Sequence, residues 1–145
     1  MRTARVLGAG LLAGLVLNIG EAALHGVVFA SAAESAMKAL QRDVSGTGAD
    51  TARLVLITFV QGLLGIVLYA TVRPKWGSGI ATATWVGLIL WVLSGLYSAI
   101  YLSSGFPGVF SASLIWGPVA FELVLYPLAI AVGSTVYERR VALAS

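Results

Sequence analysis

Three ionisable side chains stand inside long apolar runs of this sequence, and their types and spacing suit them for chemistry. Glu21 and His25 belong to the first apolar run, and Glu122 belongs to the last. Residues four apart lie on one face of a helix, so Glu21 and His25 are neighbours if their run is helical. A charged group at the centre of a bilayer costs about 2.5–3.5 kcal/mol on insertion scales, and such residues therefore face an interior surface.

Neutral polar residues at a similar depth extend this group. Asn18 stands three residues before Glu21. Gln61 stands in the outer half of the second apolar run, as Ser94, Tyr97 and Ser98 do in the third. We therefore expect one polar chamber between the helices, open toward the outer side of the membrane. Its candidate lining residues are Asn18, Glu21, His25, Gln61, Tyr97 and Glu122.

Four interpretations of the ionisable residues stay open. Two neighbouring buried carboxylates can load and release a proton. One imidazole with two carboxylates, from Glu21, His25 and Glu122, is a donor set for a metal ion. His25 alone is a candidate axial ligand for a haem or chlorophyll-type pigment, and the fourth interpretation is a structural role in which these side chains satisfy one another. No cofactor is strongly implied, and its identity stays open.

The composition excludes several other kinds of site. There is no cysteine, which rules out disulfides, thiolate metal sites and cysteine nucleophiles. A serine nucleophile elbow, a phosphate-binding loop, an HExxH motif and the Glu-x-x-His repeats of di-iron bundles are all missing. The net charge of +3 comes from basic residues at the ends of the apolar runs, so it does not indicate nucleic-acid binding. No catalytic residue is predicted; the sequence favours a protein other than an enzyme and leaves that question open.

The elements that must position these residues are membrane-spanning helices. Hydrophobic residues make up 59% of the 145 positions and charged residues only 10%, against about 25% charged in soluble domains. A helix needs about 20 apolar residues to cross a bilayer, and four such runs fill the chain. We predict a single all-α integral membrane domain over residues 1–145, an up-and-down four-helix transmembrane bundle. The predicted spans are about 6–30, 53–72, 80–102 and 109–137, with a short interfacial helix over about 32–42.

Lysine and arginine are distributed unevenly between the two sides that these spans define. Six are predicted on the side of both termini: Arg2, Arg5, Arg73, Lys75, Arg139 and Arg140. Three are predicted on the opposite side: Lys38, Arg42 and Arg53. Because cytoplasmic loops carry an excess of Lys and Arg, we predict that both termini lie in the cytoplasm.

Small residues indicate where the helices meet. Gly10 and Gly14 form a GxxxG pair in the first span, and Gly62 and Gly65 lie close together in the second. In lipid, small residues allow helix backbones to approach and gain van der Waals contact. The pattern predicts close packing within the bundle, with dimerisation as the alternative.

The layout of the chain resembles two groups of small membrane proteins. Its glycine-rich first helix, the run Met37-Lys38-Ala39-Leu40 and the run Gly87-Leu88-Ile89-Leu90-Trp91 resemble small four-helix bacterial membrane proteins of unknown function. That resemblance implies a fold and no activity. The small multidrug resistance family also has four helices and a key glutamate on the first, for which Glu21 is the matching residue. His25, Glu122 and the decided charge bias depart from that family.

From the sequence we favour a non-catalytic role. The short polar segments and many small residues indicate an accessory subunit of a membrane complex or a self-assembling bundle in the inner (plasma) membrane. Its partners are then the lipid bilayer and other membrane subunits or further copies of itself, with no nucleic acid. The alternative is a small proton-coupled transporter, or a bundle that binds a ligand, metal or pigment through Glu21, His25 and Glu122.

Overall fold

The computed structural model describes the backbone of residues 3–41 and 48–142 and the side chains up to residue 139. Arg2, Arg42 and the side chain of Arg140 lie outside the described residues. The described chain is helical with short turns. Its elements, in order, are α1 (Thr3–Ala23), a first π turn (Leu24–Val28), α2 (Ala30–Ala39), α3 (Gly48–Trp76), α4 (Ile80–Trp91), a second π turn (Val92–Leu96), α5 (Tyr97–Gly105) and α6 (Ala112–Ala142).

Four helical segments of the described chain are long and apolar enough to cross a membrane. These spans one to four are Thr3–Val28, Gly48–Trp76, Ile80–Gly105 and Ala112–Arg139. Hydrocarbon offers no partner to backbone amides and carbonyls, so a lipid-exposed segment must satisfy them internally, as a helix does. The protein is a multi-pass membrane protein, and the predicted all-α four-helix bundle is confirmed.

Span two is longer at both ends than predicted. It begins at Gly48, so Asp50 lies within its first turn instead of before the helix. It also continues past Pro74, because a proline near the end of a helix removes only one backbone hydrogen bond. Gly77 then ends the helix in the left-handed conformation with φ +87°, and its N–H donates to the carbonyl of Arg73 at 2.9 Å.

The other helix ends differ from prediction by a few residues. Span one begins at residue 3 and ends at residue 28, close to the predicted 6–30. The short polar helix α2 covers Ala30–Ala39 instead of 32–42 and has no buried residue. Helix α6 starts at Ala112, three residues later than predicted, and runs to Ala142 through both of its prolines. Helix ends depend on local capping and fraying, which hydrophobic periodicity does not encode.

One end of the bundle collects the first residues of α1, the α3–α4 turn and the last turns of α6. There, the guanidinium of Arg73 forms a two-pronged ion pair with Glu138, whose second contact joins Nη2 to Oε2 at 2.7 Å. The hydroxyl of Tyr69 donates to Glu138 at 2.9 Å and accepts from the N–H of Gly79 at 2.9 Å. Tyr137 packs edge-on against Tyr69. We call this the cationic end, since it carries Arg5, Arg73, Lys75 and Arg139.

The half of the bundle next to the cationic end is tightly packed. A methyl group on Gly62 would run into the backbone of Gly14 and Gly10, so spans one and two touch through their main chains. A methyl group on Gly87 would likewise meet the backbone of Pro127, which joins spans three and four. We call this region the packed half; Ile66, Val86 and Ile130 are fully buried in it.

Two π turns interrupt the spans in the opposite half. In span one, the N–H of Phe29 donates to the carbonyl of Leu24, five residues back, at 2.9 Å. In span three, the second π turn covers Val92–Leu96. A π turn encloses one residue more than an α turn and is frequent at functional sites. Both turns border the cavity described next.

Candidate functional site

A cavity of about 480 Å³ lies between all four spans, in the half of the bundle away from the cationic end. This is within the range of about 300–1,000 Å³ seen for small-molecule sites. Half of its twenty lining residues are apolar, including Leu54, Val55, Leu114 and Ile115. Its polar and ionisable lining residues are Asn18, Glu21, His25, Thr51, Thr58, Gln61, Ser94, Ser98, Glu122 and Tyr126.

The three ionisable residues of the cavity form one group. Nε2 of His25 lies 3.3 Å from Oε2 of Glu21, one helical turn earlier. Glu122 of α6 joins them, and one ligand atom from each of the three residues lies within 4.8 Å of the other two. We call these residues the Glu–His–Glu cluster. The side chain of Glu21 is 23% exposed and that of His25 is 58% exposed, so the histidine stands at the open side.

Glu122 is the member of the cluster with a buried carboxylate oxygen that lacks a hydrogen-bond partner among the described residues. Its Oε2 is buried and makes no hydrogen bond within the described part of the chain. Gly95, in the second π turn, leaves the space that this oxygen occupies, because a methyl group there would collide with it. A buried carboxylate oxygen without a partner is costly, and such a group calls for a ligand, an ion, a water or a proton.

A neutral hydrogen-bonded group closes the cavity toward the packed half. The amide of Gln61 donates to the hydroxyl of Ser94 at 3.3 Å, and the hydroxyl of Tyr126 donates to the carbonyl oxygen of Gln61 at 3.3 Å. These contacts connect spans two, three and four on the side of Glu122 that faces the packed half. Closer to the packed half lie Leu17 and Leu125, which belong to an apolar cluster of buried side chains. The described cavity is therefore open at one end and closed at the other.

The side-chain amide of Asn18 donates to backbone carbonyls of two helices. Its amide donates to the carbonyl of Gly14 at 2.9 Å, one turn earlier in α1, and reaches the carbonyl of Val55 in span two at 3.4 Å. The second contact ties spans one and two together at the edge of the cavity. Asn18 therefore positions helices as well as lining the site.

The structure brings five of the six predicted site residues to the cavity. Asn18, Glu21, His25, Gln61 and Glu122 line it. Tyr97 does not, because its side chain is 65% exposed on the outside of span three. There it stacks on Tyr101 with ring centroids 6.5 Å apart. The cavity-facing stripe of span three instead follows Ser94, Ser98 and Leu102, which are spaced by four.

Tyr126 is the main lining residue that the sequence analysis missed. It lies four residues after Glu122, so the same i, i+4 rule that joined Glu21 to His25 places it on the face of Glu122. Thr58 also lines the cavity, three residues before Gln61. Its hydroxyl donates to the carbonyl of Leu54 one turn earlier, which makes it easy to overlook as an ordinary helical threonine.

Carboxylates outnumber basic groups around the cavity. Two carboxylates and one imidazole line it, and no lysine or arginine is among its described lining residues. The ion pair of Arg73 and Glu138 lies at the cationic end, across the packed half. When the carboxylates are ionised, the cavity attracts cations, and its low-dielectric walls strengthen that attraction.

No protein-family model, curated protein or solved structure matches this chain. A helical bundle supports many unrelated functions, so the chemistry of the site itself indicates the function.

Proposed function

We propose that this multi-pass membrane protein is a ligand-binding bundle that takes a cation into the cavity between its four spans. The buried Oε2 of Glu122, without a hydrogen-bond partner among the described residues, is the observation that carries this proposal. A role limited to fixing helix register requires that polar groups satisfy one another, as Gln61 and Tyr126 do. Glu122 departs from that pattern while facing a cavity of ligand size.

The shape of the cavity supports entry from one side. It is open near His25, whereas the neutral group of Gln61, Ser94 and Tyr126 and the packed half close its other end. With the cationic end in the cytoplasm, as Lys and Arg predict, the open side faces outward. The ligand is thus taken from outside the cell, and the helical spans with this charge bias support the plasma membrane as the location.

The accessory-subunit interpretation drawn from the sequence stays a prediction. It requires partners or further copies of this chain on the lipid-facing surfaces. The unpartnered carboxylate favours binding over a passive role, so we place the binding function first and a role in assembly second.

A panel of cations tests the proposal. The full chain in lipid nanodiscs is heated in the presence of millimolar divalent metal, tetramethylammonium or tetraphenylphosphonium, and its melting temperature is recorded. A ligand that binds the folded state stabilises it by about 2.7 kcal/mol at one hundred times its Kd. We expect at least one cation to raise the melting temperature of the wild type, and Glu122→Gln to abolish the increase.

Glu34→Gln is the matched control. Glu34 pairs with Lys38 on the exposed helix α2, away from the cavity, so this variant loses the same charge without touching the site. It should respond to the cation as the wild type does. A panel in which no cation stabilises the wild type, or in which Glu122→Gln responds equally, contradicts the proposed function.

A further inference from the structure

We infer that the Glu–His–Glu cluster is a binding site for a divalent first-row transition metal ion. The inference rests on the proposed cation-binding function and names the class of ligand. Three observations support this inference: the spacing of Glu21 and His25 on one helix, the approach of Glu122 from another, and the open cavity beside all three.

One pair of donors in the cluster already has the spacing of two ligands on a single ion. One donor atom from each residue lies within 4.8 Å of the other two. Nitrogen and oxygen ligands bind zinc at about 2.0–2.2 Å, so two ligands of one tetrahedral ion stand about 3.4 Å apart. The Nε2 of His25 and the Oε2 of Glu21 already lie at 3.3 Å. Binding of one ion by all three residues therefore requires the donor atoms to move closer together than the 4.8 Å within which they now lie.

The donor types select the class of metal. An imidazole nitrogen with carboxylate oxygens suits zinc, cobalt, iron, nickel and manganese. Magnesium and calcium prefer sites built from oxygen alone, so a histidine ligand disfavours them. An organic ammonium ion uses the carboxylates but gains little from the imidazole. His25 therefore separates a metal site from a site for an organic cation.

The surroundings leave room for further ligands of the metal. Three protein donors leave at least one coordination position open, and the cavity beside the cluster can place water or a small ligand there. Gly95 keeps clear the space beside Glu122, since a methyl group would displace its carboxylate. An ion bound here would also connect span one to span four. Metal binding should therefore raise the stability of the bundle as well as fill the site.

Cobalt(II) is the probe for this site, because its visible absorption reports coordination directly. His25 is the only histidine and the chain has no cysteine, so a nitrogen ligand seen in the spectrum of a chain purified without a polyhistidine tag is His25. We expect one Co²⁺ per chain in nanodiscs of zwitterionic lipid. His25→Gln and Glu122→Gln should each weaken binding at least tenfold, Glu34→Gln should leave it unchanged, and Mg²⁺ should compete at least tenfold more weakly than Zn²⁺.

A measurement on the wild type alone decides the case if the cavity variants fail to fold. With Mn²⁺ bound, electron spin-echo modulation from a directly coordinated nitrogen is expected. Its absence, or Co²⁺ binding that is equally tight in a folded His25→Gln variant, overturns the metal site. If tetraphenylphosphonium stabilises the wild type through Glu122 while Co²⁺ does not bind, the metal inference fails and the proposed function stands. If neither cation binds, both fail.

Discussion

The contact between spans one and two depends on Gly62, and Gly62→Ala should weaken the bundle measurably. The added methyl carbon would lie 2.8 Å from the carbonyl oxygen of Gly10 and closer still to the backbone of Gly14, whereas ordinary contact begins at 3.4 Å. Every opposing atom belongs to the main chain, so no side chain can rotate away. The two helices must therefore separate by half an ångström or more.

The cost follows from the forces that hold helices together in lipid. Helix association there relies on van der Waals packing, since lipid tails are as apolar as the side chains. A gap of 0.5–1 Å forfeits about a quarter to a half of each affected contact, and overpacking in protein interiors costs about 1–3 kcal/mol. We expect Gly62→Ala to lower the free energy of unfolding by about 1–3 kcal/mol.

The assay is unfolding of the purified protein by SDS in mixed micelles, followed by tryptophan fluorescence. Gly105→Ala is the control, because a methyl group on Gly105 has no described atom within 4 Å of it. The control should unfold at the wild-type midpoint or slightly above it. If Gly62→Ala unfolds at the same midpoint as Gly105→Ala, the backbone contact between spans one and two does not exist in the protein.

Three further predictions concern orientation and the polar contacts. Reporter fusions at the C-terminus and in the α3–α4 turn should both read cytoplasmic, and a periplasmic signal at either position would reverse the orientation. Glu138→Gln should lower the free energy of unfolding by about 1.5–3 kcal/mol in the SDS assay, since hydrogen bonds to charged groups contribute that much and Arg73 loses its carboxylate partner; an unchanged midpoint would show that the ion pair is not formed. Trp91→Phe removes an N–H that donates to the carbonyl of Val119 at 2.8 Å, which should cost about 0.5–1.5 kcal/mol by thermal melting. Trp85→Phe, at a site 62% exposed, is the control and should change little, and equal losses in the two variants would refute the role of that hydrogen bond.

The sequence predicted the cavity through the cost of burying charge. Glu21, His25 and Glu122 are the ionisable residues in the apolar runs, and hydrocarbon leaves them no stable place except an interior surface. That argument needs no knowledge of helix rotation, and all three residues line one cavity, together with Asn18 and Gln61, which were expected there from spacing and depth.

Residues whose placement depends on helix rotation were harder to predict. Tyr97 was expected in the chamber from its depth alone, yet it points away from the cavity. The second π turn lies directly before Tyr97 and changes the direction in which the following side chains of span three point. No sequence pattern predicted this turn. Tyr126 was missed for a related reason, since a tyrosine in an apolar run resembles a core or interfacial residue unless its spacing from Glu122 is considered.

The π turns affect how insertions and deletions in the sequence can change this bundle during evolution. Each residue of an α-helix turns the chain by about 100°, so the additional residue in a π turn sets a new angular register for everything beyond it. In span three, the inner part keeps the register that brings Gly87 against Pro127, while the outer part follows the register that turns Ser98 to the cavity. Insertion or deletion of one residue within Val92–Leu96 would thus re-aim the outer part by roughly 100° and leave the inner contacts as they are. A one-residue change in this turn can therefore alter which side chains line the cavity while the packing contacts of the inner part of the span are kept.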